Sequence, residues 1–285
     1  MNKGWLIYRT KDAKQNRSYI EWFISEAEKA GMRLFLILRE ELKIGIVNNQ
    51  RIVRLHENPV ELPDFAIVRT IEPILNAQLE SLGIPVFNSA EVASICNDKS
   101  LTHHYVQKLN VPMIDTYFYC KEDLQSDEIP LPYPFVLKEA FGRGGNQVYF
   151  IEDESDWLKT LNQLSDRNII VQSSNVLLGQ DLRVFVIGHE IIGAVLRQNT
   201  NDFRANFKLG GSAQFYHLKR DEKEMISNII NHFQFGMVGI DFLIHPSGEL
   251  LFNEIEDVVG SRTLSNVSEI NILEKYIHFI KNNLT

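Results

Sequence analysis

The stretch that decides the fold runs from residue 238 to residue 256 and reads VGIDFLIHPSGELLFNEIE. Two apolar runs, Val238 to Ile244 and Leu250 to Glu256, flank a Pro-Ser-Gly sequence that favours a tight turn. Apolar runs separated in this way predict a β-hairpin. Each run also contains acidic residues, which an ordinary apolar hairpin does not need.

The acidic residues of this hairpin are predicted to lie on one face. With residues 246 and 247 at the tip, Asp241 faces Phe252 and lies diagonal to Glu254, at about 7–8 Å between backbones. Alternation along the strand adds Glu256 to the same face. Because three acids would repel one another, and because hard cations prefer carboxylate oxygens, we predict that Asp241, Glu254 and Glu256 bind a metal. A solvated polar face is the alternative, and the surrounding apolar residues argue against it.

Residues 1–88, at the N-terminus, predict a small open α/β domain. Strand and helix patterns alternate along them, and glycines stop the helices. The predicted elements are the strands Trp5 to Arg9, Arg33 to Leu38, Phe65 to Arg69 and Ile84 to Phe87, and the helices Ser18 to Ala30 and Glu72 to Leu82. Ligands of such domains bind beyond the carboxyl ends of the strands, where Arg9 and Arg69 lie.

Two further units are expected after this domain. Residues 89–175 predict a subdomain in which two short helices precede strands that flank a glycine cluster. Residues 176–285 predict a hairpin-rich subdomain that ends in a helix over residues 268–282. The expected fold class is therefore α/β, with α+β parts, in three domains.

The glycine cluster follows a lysine at the end of a predicted strand. Lys138 precedes Gly142, Gly144 and Gly145, and glycines leave backbone N–H groups open to phosphate oxygens. The cluster is not a P-loop, because no Gly-Lys-Ser/Thr follows, and it is not a dinucleotide fingerprint, because a strand follows where a helix is required. Taken alone, it is more often a glycine-rich turn.

Basic residues gather in and after a second predicted hairpin, whose strands are Leu182 to Ile187 and Ile191 to Arg197. They are Arg183, Arg197, Arg204 and Lys208. Arginine suits planar contacts to phosphate or carboxylate. Each residue alone is commonly a surface charge, but four of them beside an acidic metal site predict a pocket where phosphate and metal meet.

Composition argues against several classes of protein. The chain of 285 residues has 29 Lys+Arg against 37 Asp+Glu, a net charge of -8, which disfavours a nucleic-acid coat and a polybasic membrane anchor. No apolar stretch reaches the roughly 20 residues of a membrane span, and the N-terminus does not match a signal peptide. Cys96 and Cys120 fit no zinc spacing. We therefore expect a soluble, cytoplasmic protein without nucleic-acid or membrane partners, and a homo-oligomer is compatible with the sequence.

The order of the motifs resembles the ATP-grasp superfamily and, within it, the RimK-like amino-acid ligases. The resemblance covers about residues 88–262. It rests on Asn97-Asp98-Lys99, Pro134 to Lys138 with its glycine loop, Val171-Gln172, Gly179-Gln-Asp181-Leu-Arg183, Asp202-Phe-Arg204-Ala-Asn206, Gly210-Gly211, Asp241, and Asn253-Glu254-Ile-Glu256. The ordered set is specific, whereas any one motif is not.

The resemblance implies an ATP-grasp fold and a role for each matching residue. The implied nucleotide-binding residues are Lys99, Lys138, Gly142, Arg143, Gly144, Gly145, Gln172, Ser173, Ser174, Asp181, Arg204 and Asn206. Among them, residues 172–174 would form the adenine hinge, where backbone groups recognise the base. Asp241, Glu254 and Glu256 would hold magnesium, as two ions that manganese could replace. Arg183 and Arg197 would act in catalysis by steadying the phosphates and an acyl phosphate.

The implied activity is ATP-dependent ligation of a small-molecule carboxylate to an amine through an acyl phosphate, with release of ADP and phosphate. Glu256 stands where the family usually has asparagine, and the sequence from Asp257 to Arg262 replaces its usual Pro-Gly turn. Arg9, Arg69 and Arg262 lie at strand ends or in this loop, and we predict that they bind an anionic substrate. A small-molecule kinase and a non-catalytic nucleotide-binding regulator are the alternatives.

Overall fold

The computed structural model describes residues 1–125, 128–142, 144–145, 147–165, 168–205 and 210–284. Across these ranges the strands form four sheets, and the mixed α/β class expected from the sequence is confirmed. Arg143, Asn206 and Lys208 lie outside the described residues. None of the helices in the described ranges has both the length and the apolar character needed to cross a membrane.

A parallel sheet in the order β2-β1-β6-β7 forms the core of the N-terminal unit. The elements of this unit are β1 (Lys3–Tyr8), α1 (Thr10–Gln15), α2 (Arg17–Lys29), β2 (Arg33–Leu38), β3 (Leu42–Val47), β4 (Gln50–Leu55), β5 (Asn58–Pro59), β6 (Phe65–Val68), α3 (Pro73–Glu80) and β7 (Val86–Phe87). Gly31 follows α2 with a φ of 77°, a conformation that favours glycine at the end of a helix. Arg9 and Arg69 directly follow β1 and β6, as predicted.

A small antiparallel sheet in the order β3-β4-β5 was not expected from the sequence. Its first two strands meet at Asn48 and Asn49, whose φ angles are 48° and 61°. Two consecutive left-handed residues are typical of a type I′ turn, and asparagine tolerates that conformation. The Asn-Asn pair was therefore the available sequence signal for this hairpin.

An antiparallel sheet in the order β10-β9-β11-β8 forms the central unit. The elements of this part of the chain are α4 (Ala90–Cys96), α5 (Lys99–Gln107), β8 (Thr116–Cys120), β9 (Phe135–Glu139), β10 (Val148–Ile151), α6 (Glu154–Leu161) and β11 (Asn168–Ser173). Helices α4 and α5 bury Val92 and Val106 in the apolar cluster of the C-terminal sheet. Asp98 caps α5, because its Oδ1 accepts from the backbone N–H groups of Ser100 and Leu101 at 2.9 and 3.1 Å. This cap places Lys99 in the first turn of the helix.

A five-stranded antiparallel sheet in the order β14-β13-β12-β15-β16 forms the C-terminal unit. The elements of this unit are β12 (Gln180–Ile187), β13 (Glu190–Gln198), β14 (Ser212–Tyr216), α7 (Arg220–His232), β15 (Met237–Ile244), β16 (Leu250–Glu256), α8 (Arg262–Val267) and α9 (Ile272–Asn282). Strand β14 and helix α7 were not predicted. The last helix begins later than predicted, because Asn271 caps it by accepting from the N–H of Glu274 at 3.0 Å.

The hairpin of β15 and β16 contains a β-bulge, and the predicted register was wrong. Phe242 pairs with Phe252, but Asp241 pairs with Glu254, so Asn253 is the extra residue. Asp241 therefore lies directly opposite Glu254 rather than diagonal to it. A bulge of this kind re-aims the side chains that follow it.

The bulge separates an apolar face of β16 from an acidic one. Phe252 and Ile255 are buried in the same apolar cluster, although strict alternation would place them on opposite faces. Glu254 lies opposite Asp241, and Glu256 lies opposite Gly239 two residues further on. The three acids therefore share one face, through a pairing that differs from the predicted one.

A single apolar cluster joins the N-terminal sheet to the C-terminal unit. Phe23 on α2, Phe65 on β6, Phe185 on β12 and Tyr276 on α9 are all buried in it. Burial of a large apolar side chain contributes about 1.5–3 kcal/mol. This cluster therefore holds the N-terminal sheet firmly against the C-terminal unit.

Candidate active site

An open cleft of about 820 Å³ lies between the central and the C-terminal sheets. Lys138 on β9 and Gln172 on β11 line it from the central sheet. Asp181 on β12, Asp241 on β15 and Glu254 on β16 line it from the C-terminal sheet.

The apolar part of the cleft lining was not predicted from the sequence. It includes Val136, Leu177, Phe203 and Leu243. Phe203 stacks on Phe150 with ring centroids 5.3 Å apart, which restrains its ring. Val136 and Leu243 each lie two residues from a predicted site residue on the same strand, so alternation along the strand could have identified them. Apolar side chains of this kind suit the flat base of a nucleotide.

Both lysines that were predicted to bind phosphate line the cleft. Lys138 is 9% exposed, and its Nζ donates to Oδ1 of Asn253 at 2.8 Å. Nζ of Lys99 lies 3.1 Å from Oε2 of Glu254 and donates to the backbone oxygen of Gly142 at 2.5 Å. Burial lowers the pKa of Lys138 to about 8, although the charge of Glu254 opposes this effect. An anion bound at Lys138 would stabilise its charged form. Asn253 was not assigned a role from the sequence, and it reaches Lys138 from the bulge.

The glycine loop is bonded to residues of the central and the C-terminal units. Gly144 and Gly145 have φ angles of 63° and 78°, which favour glycine. Nη1 of Arg204 donates to the backbone oxygen of Gly145 at 2.5 Å. Asp202, which the sequence did not identify as a site residue, holds the same guanidinium through bonds of 2.9 and 2.7 Å. The described residues of the loop therefore lie along the cleft with Arg204 beside them.

Arginine–carboxylate pairs connect β12, β13, β15 and β16. Arg183 binds Asp241 through two hydrogen bonds of 2.7 and 2.6 Å, and its Nη1 lies 2.5 Å from Oε2 of Glu256. Arg197 binds Asp181 through bonds of 2.6 and 2.7 Å and also donates to Oδ2 of Asp241 at 2.8 Å. Cross-strand pairing puts these side chains on one face of the sheet. Paired contacts of this kind are among the stronger hydrogen bonds in proteins.

Burial and neighbouring charges set the ionisation of the acids in this network. Burial alone would raise the pKa of Asp241, but Arg183 and Arg197 hold it down to about 2. Burial likewise opposes ionisation of Glu254, whose pKa is nevertheless lowered, chiefly by the charge of Lys99. At Asp181 burial has the larger effect, and it raises the pKa. Asp241 and Glu254 are therefore ionised at neutral pH.

The charged side chains of this face balance one another. The positive ones are Lys99, Lys138, Arg183 and Arg197, and the negative ones are Asp181, Asp241, Glu254 and Glu256. Within the described residues, no three acidic, histidine or cysteine side chains are grouped closely enough to hold a metal ion. The positive charge that buried acids require is supplied here by arginine and lysine. The donor chemistry still fits magnesium, because carboxylate oxygens are its preferred protein ligands and each has lone pairs beyond those used in these pairs.

Two of the three residues of the predicted adenine hinge line the cleft. Gln172 and Ser173 line the cleft at the end of β11, whereas Ser174 does not. Oγ of Ser174 donates to the backbone oxygen of Pro134 at 2.7 Å. Ser174 therefore supports the segment that leaves β11.

A smaller pocket of about 320 Å³ adjoins the cleft and shares Lys99 and Glu254 with it. Asn97 and Glu256 also line this adjoining pocket. Nδ2 of Asn97 donates to Oδ2 of Asp257 at 2.9 Å, which ties the loop after β16 to the end of α4. The adjoining pocket therefore lies between Lys99, which was predicted to bind phosphate, and Glu254 and Glu256, which were predicted to bind metal. It is next to the loop that starts at Asp257, whose sequence departs from the family pattern.

The three arginines predicted to bind an anionic substrate line neither the cleft nor the adjoining pocket. Arg9 is about half exposed, and its Nη2 lies 3.4 Å from Oε2 of Glu72. Arg262 is exposed at the start of α8. Arg69 is buried, and its Nη2 donates to the backbone oxygen of Val259 at 2.8 Å. Arg69 thus connects the N-terminal sheet to the loop after β16.

Comparisons of the sequence with known proteins identify its relatives. A sequence model described as the RimK-like ATP-grasp domain matches residues 96–280. The chain is 28% identical over 233 residues to the glutamate–LysW ligase ArgX of Sulfurisphaera tokodaii, covering 77% of this chain and 82% of that protein. It is 26% identical over 264 residues to N-acetylaspartylglutamate synthase A of Homo sapiens, covering 85% of this chain and 66% of that protein.

A solved structure shows the same fold over nearly the whole chain. It is that of the ATP-grasp ligase PsnB complexed with a phosphomimetic variant of a minimal precursor, Mg and ADP. It aligns with a TM-score of 0.72 at 13% identity and covers 99% of this chain and 98% of that chain. The ATP-grasp ligase predicted from the sequence is thereby confirmed at the level of fold and family. The domain match extends over more than half of the sequence, and the chain belongs to the RimK-like ATP-grasp family.

Proposed function

We propose that the cleft binds ATP with magnesium and that the adjoining pocket brings a carboxylate and then an amine to its γ-phosphate. The product is an amide or peptide bond, with ADP and phosphate released. The observation that carries this proposal is the junction of the two pockets at Lys99 and Glu254, where the lysine proposed to bind phosphate and the glutamate proposed to bind metal lie 3.1 Å apart.

The two kinds of lining residue support this orientation of the nucleotide. Val136 and Leu243 offer apolar contacts to the base. Lys99 and Lys138 offer positive charge to the phosphates, and the backbone of the glycine loop lies beside Lys99. Asp181 and Arg204 complete the nucleotide site from the C-terminal unit.

Asp241, Glu254 and Glu256 are the residues that would hold magnesium, and manganese prefers similar oxygen ligands. When bound, the metal would neutralise phosphate charge and polarise the transferred phosphoryl group. The protein charges of this face already balance, so a bound triphosphate adds negative charge that divalent cations must offset. This charge balance favours two ions over one.

The side chains of the protein would act by binding and by charge. A carboxylate oxygen of the substrate attacks the γ-phosphorus, and ADP leaves with the electrons of the broken bond. The amine then attacks the acyl carbon of the acyl phosphate, phosphate leaves, and the amine loses a proton. Neither Arg183 nor Arg197 lines the cleft or the adjoining pocket. Arg183 is 12% exposed and is the more accessible of the two to the transferred group, whereas Arg197 is 5% exposed and is held by two aspartates. Arg197 would therefore act mainly by fixing Asp181 and Asp241.

The substrate would carry a negative charge. One relative joins glutamate to LysW and another synthesises N-acetylaspartylglutamate, so both are named for an acidic amino acid. Arg9, Arg69 and Arg262 are the candidate residues. All three lie outside the cleft and the adjoining pocket, so a substrate would bind them only if it extends beyond both. We rank Arg69 first, because its described contacts are the hydroxyl of Tyr8, the backbone oxygen of Val259 and two aromatic rings, and these contacts include no carboxylate. Burial of a cation without an anion is unfavourable.

An ADP-release screen tests this proposal. Pools of amino acids, hydroxy acids, dipeptides and longer peptides, each rich in acidic members, are incubated with Mg-ATP, and the Lys138→Ala variant serves as the blank. We expect ADP release only when a carboxylate and an amine are both present. Mass spectrometry should then find a product equal to the two substrates minus water. A phosphorylated product formed without an amine would mean a kinase, and tight ATP binding without ADP release in any pool would mean a regulator.

A further inference from the structure

His103 and Gln172 form a buried pair at the wall of the cleft. They are 2% and 1% exposed, and Gln172 lines the cleft. His103 lies one turn after Lys99 in α5, and its Nδ1 is 2.7 Å from the backbone oxygen of Lys99. Nε2 of its ring is 3.2 Å from Nε2 of Gln172.

The contact at Nδ1 fixes the tautomer of His103. A backbone carbonyl oxygen can only accept, so Nδ1 must be the protonated nitrogen. Burial beside the rings of Phe118 and Phe252 lowers the pKa of His103 to about 4, and the charge of Lys138 adds to this effect. The ring is therefore neutral at physiological pH, and its Nε2 is an acceptor.

An acceptor at this position fixes the orientation of the Gln172 amide. One N–H of the amide donates to Nε2 of His103, and Nε2 of Gln172 also lies 3.0 Å from Oγ1 of its cross-strand neighbour Thr116. Thr116 uses its own proton on the backbone oxygen of Ile114 at 2.8 Å, so its oxygen accepts from the amide. Both amide hydrogens are therefore used.

The remaining oxygen of this amide has no such partner. Oε1 of Gln172 is buried and makes no hydrogen bond among the described residues. A buried acceptor without a donor is unfavourable, so a ligand that offers an N–H group to this oxygen gains affinity. Adenine carries an amino donor at C6, whereas guanine carries an oxygen acceptor there.

We propose that Gln172 selects ATP over GTP by accepting a hydrogen bond from the 6-amino group, and that His103 is the positioning residue that keeps the amide in this orientation. The inference rests on the proposed nucleotide role of the cleft. In this arrangement α5 contributes to both ends of the nucleotide site, because Lys99 contacts the phosphates and His103, one turn later, positions the residue that contacts the base. Without an acceptor at Nε2 of His103, the side-chain amide of Gln172 could rotate by half a turn and present its N–H groups to the base. N–H groups at this position suit the oxygen that guanine carries at C6.

Calorimetric affinities of the full chain for ATP, GTP and purine riboside triphosphate, each with magnesium, test this inference. The wild type should bind ATP about tenfold or more tightly than either of the others. His103→Phe should bring the ATP-to-GTP ratio towards one without weakening GTP binding, and His103→Gln, which can supply an acceptor, should restore part of the preference. The same substitution at the exposed neighbour His104 is the matched control and should leave the ratio unchanged.

Other outcomes would overturn the inference in distinguishable ways. Equal weakening of ATP and GTP by His103→Phe would mean a merely structural histidine. If that variant does not fold, Gln172→Met provides the same test, since it removes the acceptor and should abolish the preference while GTP binding persists. A wild type that binds ATP and purine riboside triphosphate equally would exclude the role of Gln172. A wild type that binds none of the three would instead overturn the nucleotide role of the cleft.

Discussion

The affinity for ATP should fall as the pH rises above about 8, because Lys138 then loses its proton. Burial lowers the pKa of Lys138 from 10.5 to about 8, so this lysine titrates well before an exposed one. A triphosphate stabilises the protonated form, and above pH 8 binding must therefore be accompanied by proton uptake. Each further pH unit should weaken binding by about tenfold, or about 1.4 kcal/mol, until the higher pKa of the bound form is reached.

Calorimetry with a non-hydrolysable ATP analogue at constant magnesium, from about pH 7 to about pH 9.5, measures this effect. Repeating each titration in two buffers of different ionisation enthalpy reports the proton uptake directly. Lys138→Arg is the matched variant, because a guanidinium stays charged across this range, and its affinity should change little with pH. A wild-type affinity that stays constant to pH 9.5, or equal slopes in the two proteins, would refute the assignment of Lys138 to phosphate.

Substitutions at three further positions test the charged network. Arg197→Met removes the partner of two buried carboxylates and should lower the free energy of unfolding by about 3–5 kcal/mol in urea titrations, whereas Arg220→Met at an exposed site should have no measurable effect. Glu254→Gln should lower turnover far more than ATP affinity, since we propose that Glu254 acts through a cation, and parallel losses in kinetics and calorimetry would contradict this role. Glu256→Asn should retain ligase activity because an amide oxygen can still bind magnesium, and Glu256→Ala should lose most of it. Wild-type turnover of Glu256→Ala at low magnesium would show that this residue is not a ligand.

Much of the fold could be predicted because its signals are local. The apolar periodicity and the helix-stopping glycine Gly31 located the N-terminal α/β sheet. The register of the last hairpin could not be predicted from alternation, because one inserted residue, Asn253, shifts every later pair. The sequence signal for the bulge was the pair of adjacent polar residues Asn253 and Glu254 between Phe252 and Ile255, because it breaks the alternation of a regular strand.

The ion pairs of the site depend on contacts that the sequence does not reveal. The acids and the arginines were each recognised, but not that Arg183 and Arg197 bind Asp241 directly. That contact requires β12 to lie between β13 and β15, which is a property of strand order rather than of any segment. The sequence therefore identified charged residues that the structure brings together, but not how they pair.

The neighbouring histidines of α5 illustrate the same limit. His103 and His104 are adjacent in the sequence, but the structure buries the first and exposes the second. The significance of His103 depends on Gln172, which is 69 residues away in the chain. A helical pattern could indicate which histidine faces inward, but not what it meets there.

Transfer of oxygen from the carboxylate substrate to phosphate tests the ligase chemistry most directly. A substrate identified in the ADP-release screen is labelled with oxygen-18 in its carboxylate and incubated with the protein, Mg-ATP and the amine, and the released phosphate is analysed by mass spectrometry. The acyl-phosphate route predicts one labelled oxygen in each phosphate, because the oxygen that attacks the γ-phosphorus leaves with the phosphate when the amine displaces it. Unlabelled phosphate, with all of the label retained in the organic product, would contradict the proposed ligase mechanism.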